Sequence, residues 1–287
     1  MKDNKDTIEY YRNINMQKSN FHTHTVYSDG HDTVTEMIET AIAKGFHSLG
    51  FSDHSFMKYD LSWAMSWEGM QENYREIRRA QEEYKGRINI WCGLELDGET
   101  ERPEYWDFEY DYLLSSVHSV LRRGVILPID TSVDGQLRIV SELCGGDWME
   151  FAKIYYADLT DHVCRNKTDI VGHFDLVTKY GLMPEDMDEY IGYSLEAIRE
   201  IMKYCRTFEL NTGAIARGLR KIPYPASFQL DEIKRLGGRM VITSDCHYRE
   251  KLDCWFAEAE NYLAAHGFTR NENGILNDKV RGIEIWE

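Results

Sequence analysis

The chain has 287 residues, 43% hydrophobic and 29% charged, so it is long and apolar enough to bury a large core. Its 33 Lys and Arg against 49 Asp and Glu give a formal net charge of −16. This charge argues against general nucleic-acid binding, which needs cations to neutralise phosphates. The polar segment 1–19 does not resemble a signal peptide, and no run approaches the roughly 18 apolar residues of a membrane span. Since none of the six cysteines forms a C-x-x-C pair, we expect reduced thiols in a cytoplasmic protein.

Short apolar segments alternate with amphipathic segments along the chain. Strands are predicted at 20–25, 47–52, 88–95, 112–118, 169–174, 207–211 and 239–244. Helices are predicted at 33–44, 68–84, 148–166, 186–205, 228–236 and 251–265, with a further strand candidate at 282–286. The alternation predicts a parallel sheet, and seven or eight units without a linker predict a closed or nearly closed barrel. We therefore expect a polar lead at 1–17 and a single α/β domain at 18–287.

Potential metal ligands lie at or just after the ends of the predicted strands. In a parallel barrel the loops that follow the strands gather at one face, where functional residues are found. His22 and His24 are two residues apart in a predicted strand, so both imidazoles are expected on one face. The full set of candidate ligands is His22, His24, Asp29, His54, Glu95, His118, His173, Asp245 and His247.

This set contains too many donors for one tetrahedral site. It predicts two or three divalent ions that share carboxylate bridges, and the mixture of nitrogen and oxygen donors without cysteine suits Zn²⁺, Mn²⁺ or Fe²⁺. Such ions would make the pocket positive in spite of the acidic surface, so the predicted ligand is a small phosphate ester. His47, His162 and His266 fall outside the strand ends and are interpreted as ordinary structural histidines.

The motifs at these strand ends resemble those of the PHP (polymerase and histidinol phosphatase) superfamily, in the same order. They are H-x-H-T-x-x-S-D-G at 22–30, G-F-S-D-H at 50–54, G-L-E at 93–95, S-V-H at 116–118, G-H-x-D at 172–175 and S-D-x-H at 244–247. Within the superfamily the chain is most similar to the histidinol-phosphate phosphatases, through G-H-F-D-L-V at 172–177 and E-L-N-T-G at 209–213. The resemblance implies a distorted (β/α)₇ TIM-like barrel with three metal ions.

The resemblance also implies an assignment of ligands. The first ion would be held by His22, His24, Glu95 and Asp245. The second would be held by Glu95, His118 and His173. The third would be held by Asp29, His54 and His247, with His31 as the alternative to Asp29.

Several neighbouring residues have more than one interpretation. Asp53 is either a support for the ligands or a helix cap, and Asp175 could orient His173. The segment from Trp63 to Trp67 is either a lid over the substrate or a local hydrophobic cluster. Cys246 is interpreted as a core residue, because its side chain would point away from the ligands on either side of it.

Arg217 is a candidate phosphate-binding residue, because a guanidinium can hold two phosphate oxygens and the loop after residues 207–211 lies on the ligand face. Its Ala-Arg-Gly context and the family resemblance make it the preferred one. Arg220 and Lys221 are its competitors, and the Arg122–Arg123 pair is a more distant one.

The resemblance implies hydrolysis of L-histidinol phosphate to L-histidinol and inorganic phosphate. Asp245 or His247 could protonate the leaving group if it is not fully committed to metal, and a metal-bound water is the alternative donor. Arg217 would stabilise phosphoryl charge. Two alternatives remain at this point: a PHP enzyme acting on another small phosphate ester, such as a nucleotide or sugar phosphate, and a non-catalytic metal-binding module.

Overall fold

The computed structural model describes residues 18–59, 62–98, 100, 108–122 and 124–287. Its strands are β1 (Lys18–Asn20), β2 (Phe46–Phe51), β3 (Asn89–Asp97), β4 (Tyr112–Ser116), β5 (Ser119–Arg122), β6 (Val125–Pro128), β7 (Ile170–Val171), β8 (Thr207–Asn211), β9 (Arg239–Thr243), β10 (Arg270–Ile275) and β11 (Arg281–Trp286). Its α-helices are α1 (Val34–Ala43), α2 (Trp67–Glu83), α3 (Val133–Arg138), α4 (Trp148–Asn166), α5 (Asp188–Ile201), α6 (Gly213–Ala216), α7 (Ser227–Arg235) and α8 (Phe256–Ala265). In this part of the chain, no helix is both long and apolar enough to cross a membrane.

Seven parallel strands form a distorted barrel. The main sheet has the order β1-β2-β3-β4-β7-β8-β9-β11-β10, and the strands from β1 to β9 in this order pair in parallel. Beyond the ends of β1 and β9, Thr23 pairs with Cys246, and the amide of His24 donates to the carbonyl of Cys246 at 3.0 Å. This contact joins the two ends of the parallel sheet, so the expected seven-stranded barrel is confirmed.

The predicted elements are found in the predicted order, but two strands differ in extent: β1 ends at Asn20 although a strand was expected at 20–25, and β7 covers only Ile170–Val171 of the expected 169–174. The helix expected from residue 251 begins only at Phe256, because Trp255 has a left-handed backbone with φ of 65°. The sequence did not predict the β5–β6 hairpin or β10, whereas the strand expected at 282–286 is β11. All six cysteines are free, and four of them are buried.

Local sequence explains the elements that surround the barrel. Thr33 caps α1 in a reciprocal capping box with Glu36, and the helix buries one apolar face. Helices α1, α2 and α4 pack against β2, β3 and β4, so their apolar faces cover the outside of the sheet.

The inside of the barrel has an apolar layer at its amino end. Phe21, Tyr112 and Val241 meet residues of the β10–β11 hairpin in one buried cluster. A side chain at Gly93 would lie 2.2 Å from the ring of Tyr112, so glycine is required for this ring to cross the barrel. The hairpin is anchored to the chain just before β4, because Asn277 donates to the carbonyl of Asp111 at 3.0 Å. The amino end is therefore filled by hydrocarbon.

Candidate metal centre

Glu95 lies at the centre of the carboxyl end of the barrel. Its neighbours Leu94 and Leu96 belong to the outer core, so strand alternation turns Glu95 inward. Ser116, at the end of the adjacent β4, donates to Oε1 of Glu95 at 2.6 Å. The Glu95 side chain is fully buried.

Five imidazoles surround the Glu95 carboxylate. The nitrogen–oxygen distances to Glu95 are 2.9 Å for His54, 3.1 Å for His22, 3.3 Å for His173, 3.5 Å for His118 and 3.6 Å for His24. His118 and His173 face the Oε1 atom, and the other three face Oε2. A carboxylate with a separate group of imidazoles at each oxygen has the geometry of a bridge between two cations.

Two buried carboxylates orient these histidines, and the sequence had not identified either as a site residue. Oε2 of Glu209 accepts from Nδ1 of His22 at 2.8 Å, and Oδ2 of Asp97 accepts from Nδ1 of His118 at 2.8 Å. In each case Nδ1 is occupied by the carboxylate and Nε2 faces Glu95, as expected for an imidazole oriented to bind a metal ion. Asp97 could have been found from the sequence, since it follows Glu95 by two residues on the same face of β3.

A second, more open group lies beside the first. Nε2 of His247 is 3.1 Å from Oδ2 of Asp29, and Nε2 of His54 is 3.7 Å from Oδ1 of Asp29. Nε2 of His24 lies 3.2 Å from Oδ1 of Asp245, which connects this group to the interior. Nδ1 of His247 lies 3.1 Å from the carbonyl of Asp245, so Nε2 is the ring nitrogen that faces Asp29.

The donors fall into compact sets that could each hold an ion. Within each set, one donor atom per residue lies within 4.8 Å of all the others. The sets are His24–Asp29–His54–His247, His22–Glu95–His173, His22–His24–Asp245 and His54–Glu95–His118. They include all nine sequence-predicted ligands and exclude His31, which instead stacks on Tyr248 with ring centroids 4.1 Å apart.

Several buried polar atoms of the cluster lack a hydrogen-bond partner, as expected for atoms that bind cations. Buried atoms with no hydrogen-bond partner in the described structure include Nε2 of His22, both ring nitrogens of His24, Oε2 of Glu95 and Oδ1 of Asp29. Burying such atoms unpaired is costly, and divalent cations would satisfy their lone pairs. The ligand residues present therefore fit a group of divalent metal ions.

Burial and the neighbouring charges in the cluster set the protonation states of Glu95 and His24. Burial raises the pKa of Glu95, but the imidazoles of His22 and His54 outweigh burial and hold this pKa well below its usual range. Burial, with help from His247 and His54, lowers the pKa of His24 to about 3. At neutral pH Glu95 is thus an anion and His24 a neutral imidazole, the two forms that bind metals.

Arg217 lies at the edge of the cluster, as the sequence predicted. Its Nη2 donates to Oδ2 of Asp245 at 2.8 Å, and its Nη1 lies 3.4 Å from Nδ1 of His247. The Arg217 side chain is one-third exposed, at 33%, and lines a cavity of about 350 Å³. The guanidinium is therefore adjacent to the ligands and open to a molecule in the cavity.

The same cavity has a second cation that the sequence did not suggest. Lys179 lies on its wall and donates to Oδ2 of Asp130 at 3.0 Å. Burial raises the pKa of Asp130, but Lys179 and His118 outweigh burial and lower it.

Trp63 also lines the cavity, with its ring 4.7 Å from that of His54, so at least this residue of the 63–67 segment faces the site.

Arg220 lies elsewhere. Its side chain is only 7% exposed, donates to Thr178 and packs over the ring of Tyr224. It is not among the residues that line the cavity, so its position does not support contact with phosphate. Arg122 donates to Asp158 at 2.7 Å, and Arg123 lies outside the described residues.

The remaining candidates have structural contacts. Asp53 accepts hydrogen bonds from Thr25, Ser28 and Asn73, which makes it a support for the loop before α1. Within the described structure, Asp175 makes no side-chain hydrogen bond to His173, and its carboxylate instead lies 3.9 Å from Arg220. Of the three histidines expected to be structural, His162 is buried at the back of β3.

Known proteins resemble this chain over most of its length. The sequence model of the PHP domain matches residues 20–213. A probable histidinol-phosphatase from Deinococcus radiodurans is 28% identical, covering 83% of this chain and 89% of its own. The histidinol-phosphatase of Bacillus subtilis is 26% identical, covering 81% and 94%. The histidinol phosphate phosphatase of Lactococcus lactis, solved with zinc, L-histidinol and phosphate, superposes with a TM-score of 0.70 at 21% identity, covering 88% of this chain and 95% of its own.

Proposed function

The chain belongs to the PHP domain family, and we propose that it is a metal-dependent phosphomonoesterase that hydrolyses L-histidinol phosphate to L-histidinol and inorganic phosphate. The observation that carries this proposal is the convergence of five imidazoles on the buried carboxylate of Glu95, beside a cavity that also holds Arg217. The full-length similarity to histidinol-phosphatases supports the choice of substrate.

Two to three divalent ions would bind this centre, with Zn²⁺ preferred over Mn²⁺ and Fe²⁺ because the similar Lactococcus enzyme was solved with zinc. When bound, such ions lower the pKa of an attacking water and neutralise phosphoryl oxygens. The assignment implied by the family resemblance is compatible with the distances between donors. In it, one ion would be held by His22, His24, Glu95 and Asp245, a second by Glu95, His118 and His173, and a third by Asp29, His54 and His247.

Arg217 would bind the phosphoryl group from the cavity wall beside Asp245. Its contact with Oδ2 of Asp245 holds the guanidinium at the cavity wall while leaving N–H groups for a phosphate oxygen. Lys179 adds positive charge on another wall of the same cavity. Both cations favour a dianionic ester over a neutral one, which accounts for substrate binding by an acidic protein.

The leaving alkoxide needs a proton, and two side chains of the cavity, Asp245 and His247, can supply it. Burial raises the pKa of Asp245, but Arg217 and His22 outweigh burial and hold it well below its usual range. In the metal-free chain Asp245 is therefore ionised at neutral pH and has no proton to give, which leaves His247 as the candidate donor when it is not bound to metal.

Phosphate release from a panel of phosphomonoesters by zinc-loaded protein tests this function. We expect L-histidinol phosphate to be hydrolysed with the highest kcat/KM, and chelation followed by zinc addition to abolish and restore the activity. Preference for a nucleotide or sugar phosphate would keep the phosphatase and overturn the substrate. Zinc binding without hydrolysis of any ester would overturn the enzymatic proposal in favour of a metal-binding module.

A further inference from the structure

The outermost ligands differ from the others in exposure and in support. The side chains of Asp29 and His247 are 32% and 18% exposed, whereas that of Asp245 is 8% exposed and those of His22 and Glu95 are completely buried. Asp29 and His247 also lie several residues beyond the ends of β1 and β9. Their spacing therefore depends on how two loops are held together.

Asp32 joins these two loops. Its carbonyl accepts from the amide of Val26 at 3.1 Å, which closes the loop that carries Asp29. Its carboxylate accepts from the amide of Arg249 at 2.8 Å, two residues after His247. The Asp32 side chain is 13% exposed, so this charge-assisted bond is largely shielded from water.

Further contacts join the same two loops. Nε of Arg249 lies 3.5 Å from Oδ1 of Asp32, and Nη1 lies 3.0 Å from Glu36, with the Arg249 side chain 37% exposed. The amide of His31 donates to the carbonyl of His247 at 2.8 Å. The exposed ion pairs should contribute little, so two backbone bonds hold the loops together, and only the bond to the Asp32 carboxylate is charge-assisted.

We propose that Asp32 is a positioning residue that sets the affinity of the outer metal site, formed by Asp29, His54 and His247, without controlling the inner sites around Glu95. Glu95 lies within β3, and three imidazoles around it follow the ends of their strands by two residues: His22, His118 and His173. These inner donors would therefore keep their spacing if the loops separated. This inference rests on the metal centre of the proposed function and is independent of its substrate.

Zinc titration against a competing chelator, with elemental analysis of the purified protein, tests the proposal. Asp32→Ala removes both the backbone bond and the ion pair, and should weaken the loosest zinc ion about 10–100-fold, the usual cost of removing a residue that supports a metal ligand. Asp32→Asn keeps an oxygen for the Arg249 amide and should lose less. Arg249→Gln leaves the backbone bond intact and should change zinc affinity only slightly.

Glu39→Ala is the matched control, because Glu39 is a carboxylate on the neighbouring helix α1. Its side chain is 49% exposed and pairs with Arg87, away from the two loops. It should bind zinc like the unaltered protein. Retention of the loosest ion by Asp32→Ala would overturn the proposal, and so would equal weakening of all ions. The proposal would also be overturned if the unaltered protein bound no third zinc ion more weakly than the other two. None of these outcomes depends on hydrolysis, so failure here is separate from failure of the phosphatase assay.

Discussion

The two ends of the barrel are closed by opposite chemistry. At the amino end, Ile283 and Ile285 of the β10–β11 hairpin share a buried hydrophobic cluster with Phe21 and Tyr112, whose one hydroxyl donates to the carbonyl of Phe21. At the carboxyl end the same strands present buried imidazoles and carboxylates, several of whose atoms have no partner in the described structure. The polar end needs bound cations to become satisfied, whereas the apolar end needs only exclusion of water.

The change occurs within single strands. Along β4, Leu114 belongs to the apolar cluster, and two residues later Ser116 donates to Glu95. Along β9, Val241 belongs to the apolar cluster, and Thr243 donates to Glu209. A step of two residues keeps the side chain inside the barrel. Each strand therefore contributes a core residue nearer its amino end and a site residue nearer its carboxyl end. Substitutions at the two levels should therefore have separable effects.

The largest expected effect is at the polar end. Glu95→Gln removes the bridging charge and nearly keeps the shape. We predict loss of bound metal and a fall in turnover of at least about 10²-fold, because electrostatic stabilisation by the ions carries much of the barrier reduction. Elemental analysis and steady-state kinetics measure both. Near-normal turnover with full metal content would show that Glu95 does not bridge ions.

Arg217 should have a smaller effect on the same end. Arg217→Ala should lower kcat/KM for histidinol phosphate by roughly ten- to a hundred-fold, which corresponds to about 1.5–3 kcal/mol for a charged hydrogen bond. Arg217→Lys should recover only part of the loss, because an ammonium lacks the guanidinium fork. Metal content should not change. An unaltered kcat/KM would move the phosphate clamp to Lys179, which lines the same cavity.

The apolar end should affect stability alone. Ile285→Val removes one buried methylene group and should lower the free energy of unfolding by about 0.5–1.5 kcal/mol in denaturant titrations. Ile275→Val is the matched control, because Ile275 belongs to the same hairpin but is 48% exposed. It should change stability by less than about 0.5 kcal/mol. A loss of bound metal in Ile285→Val would contradict the separation of the two ends.

The smallest expected effect concerns a histidine behind the site. Burial lowers the pKa of His162 to about 4, and the ring hydrogen-bonds the carbonyl of Leu96, between Glu95 and Asp97. Since the unfolded chain binds a proton near pH 6.5 and the folded chain does not, stability falls as pH decreases from about 6.5 towards 4. Between pH 7.5 and pH 6, the free energy of unfolding should fall by roughly 1 kcal/mol less in His162→Gln than in the unaltered protein. Equal losses would show that His162 does not resist protonation.

Much of the site could be predicted from sequence, because periodicity of two in strands and the gathering of loops at one barrel face are general rules. Those rules identified Glu95, His54 and His118 as neighbours, although 41 residues separate His54 from Glu95. His22 and His24 were predicted inside a strand. In the structure β1 ends at Asn20, and the contact with Cys246 keeps the following segment extended.

The sequence by itself determined the order of strands, the barrel and the types of ligand, because hydrophobic periodicity and donor chemistry are local properties. Only the tertiary structure decided which distant carboxylate orients which imidazole, as Glu209 does for His22 across 187 positions. It also decided between the two arginines, placing Arg217 on the cavity and Arg220 in a buried network. Both outcomes depend on how strands and loops distant in sequence pack together, and neither motif spacing nor residue type specifies that packing.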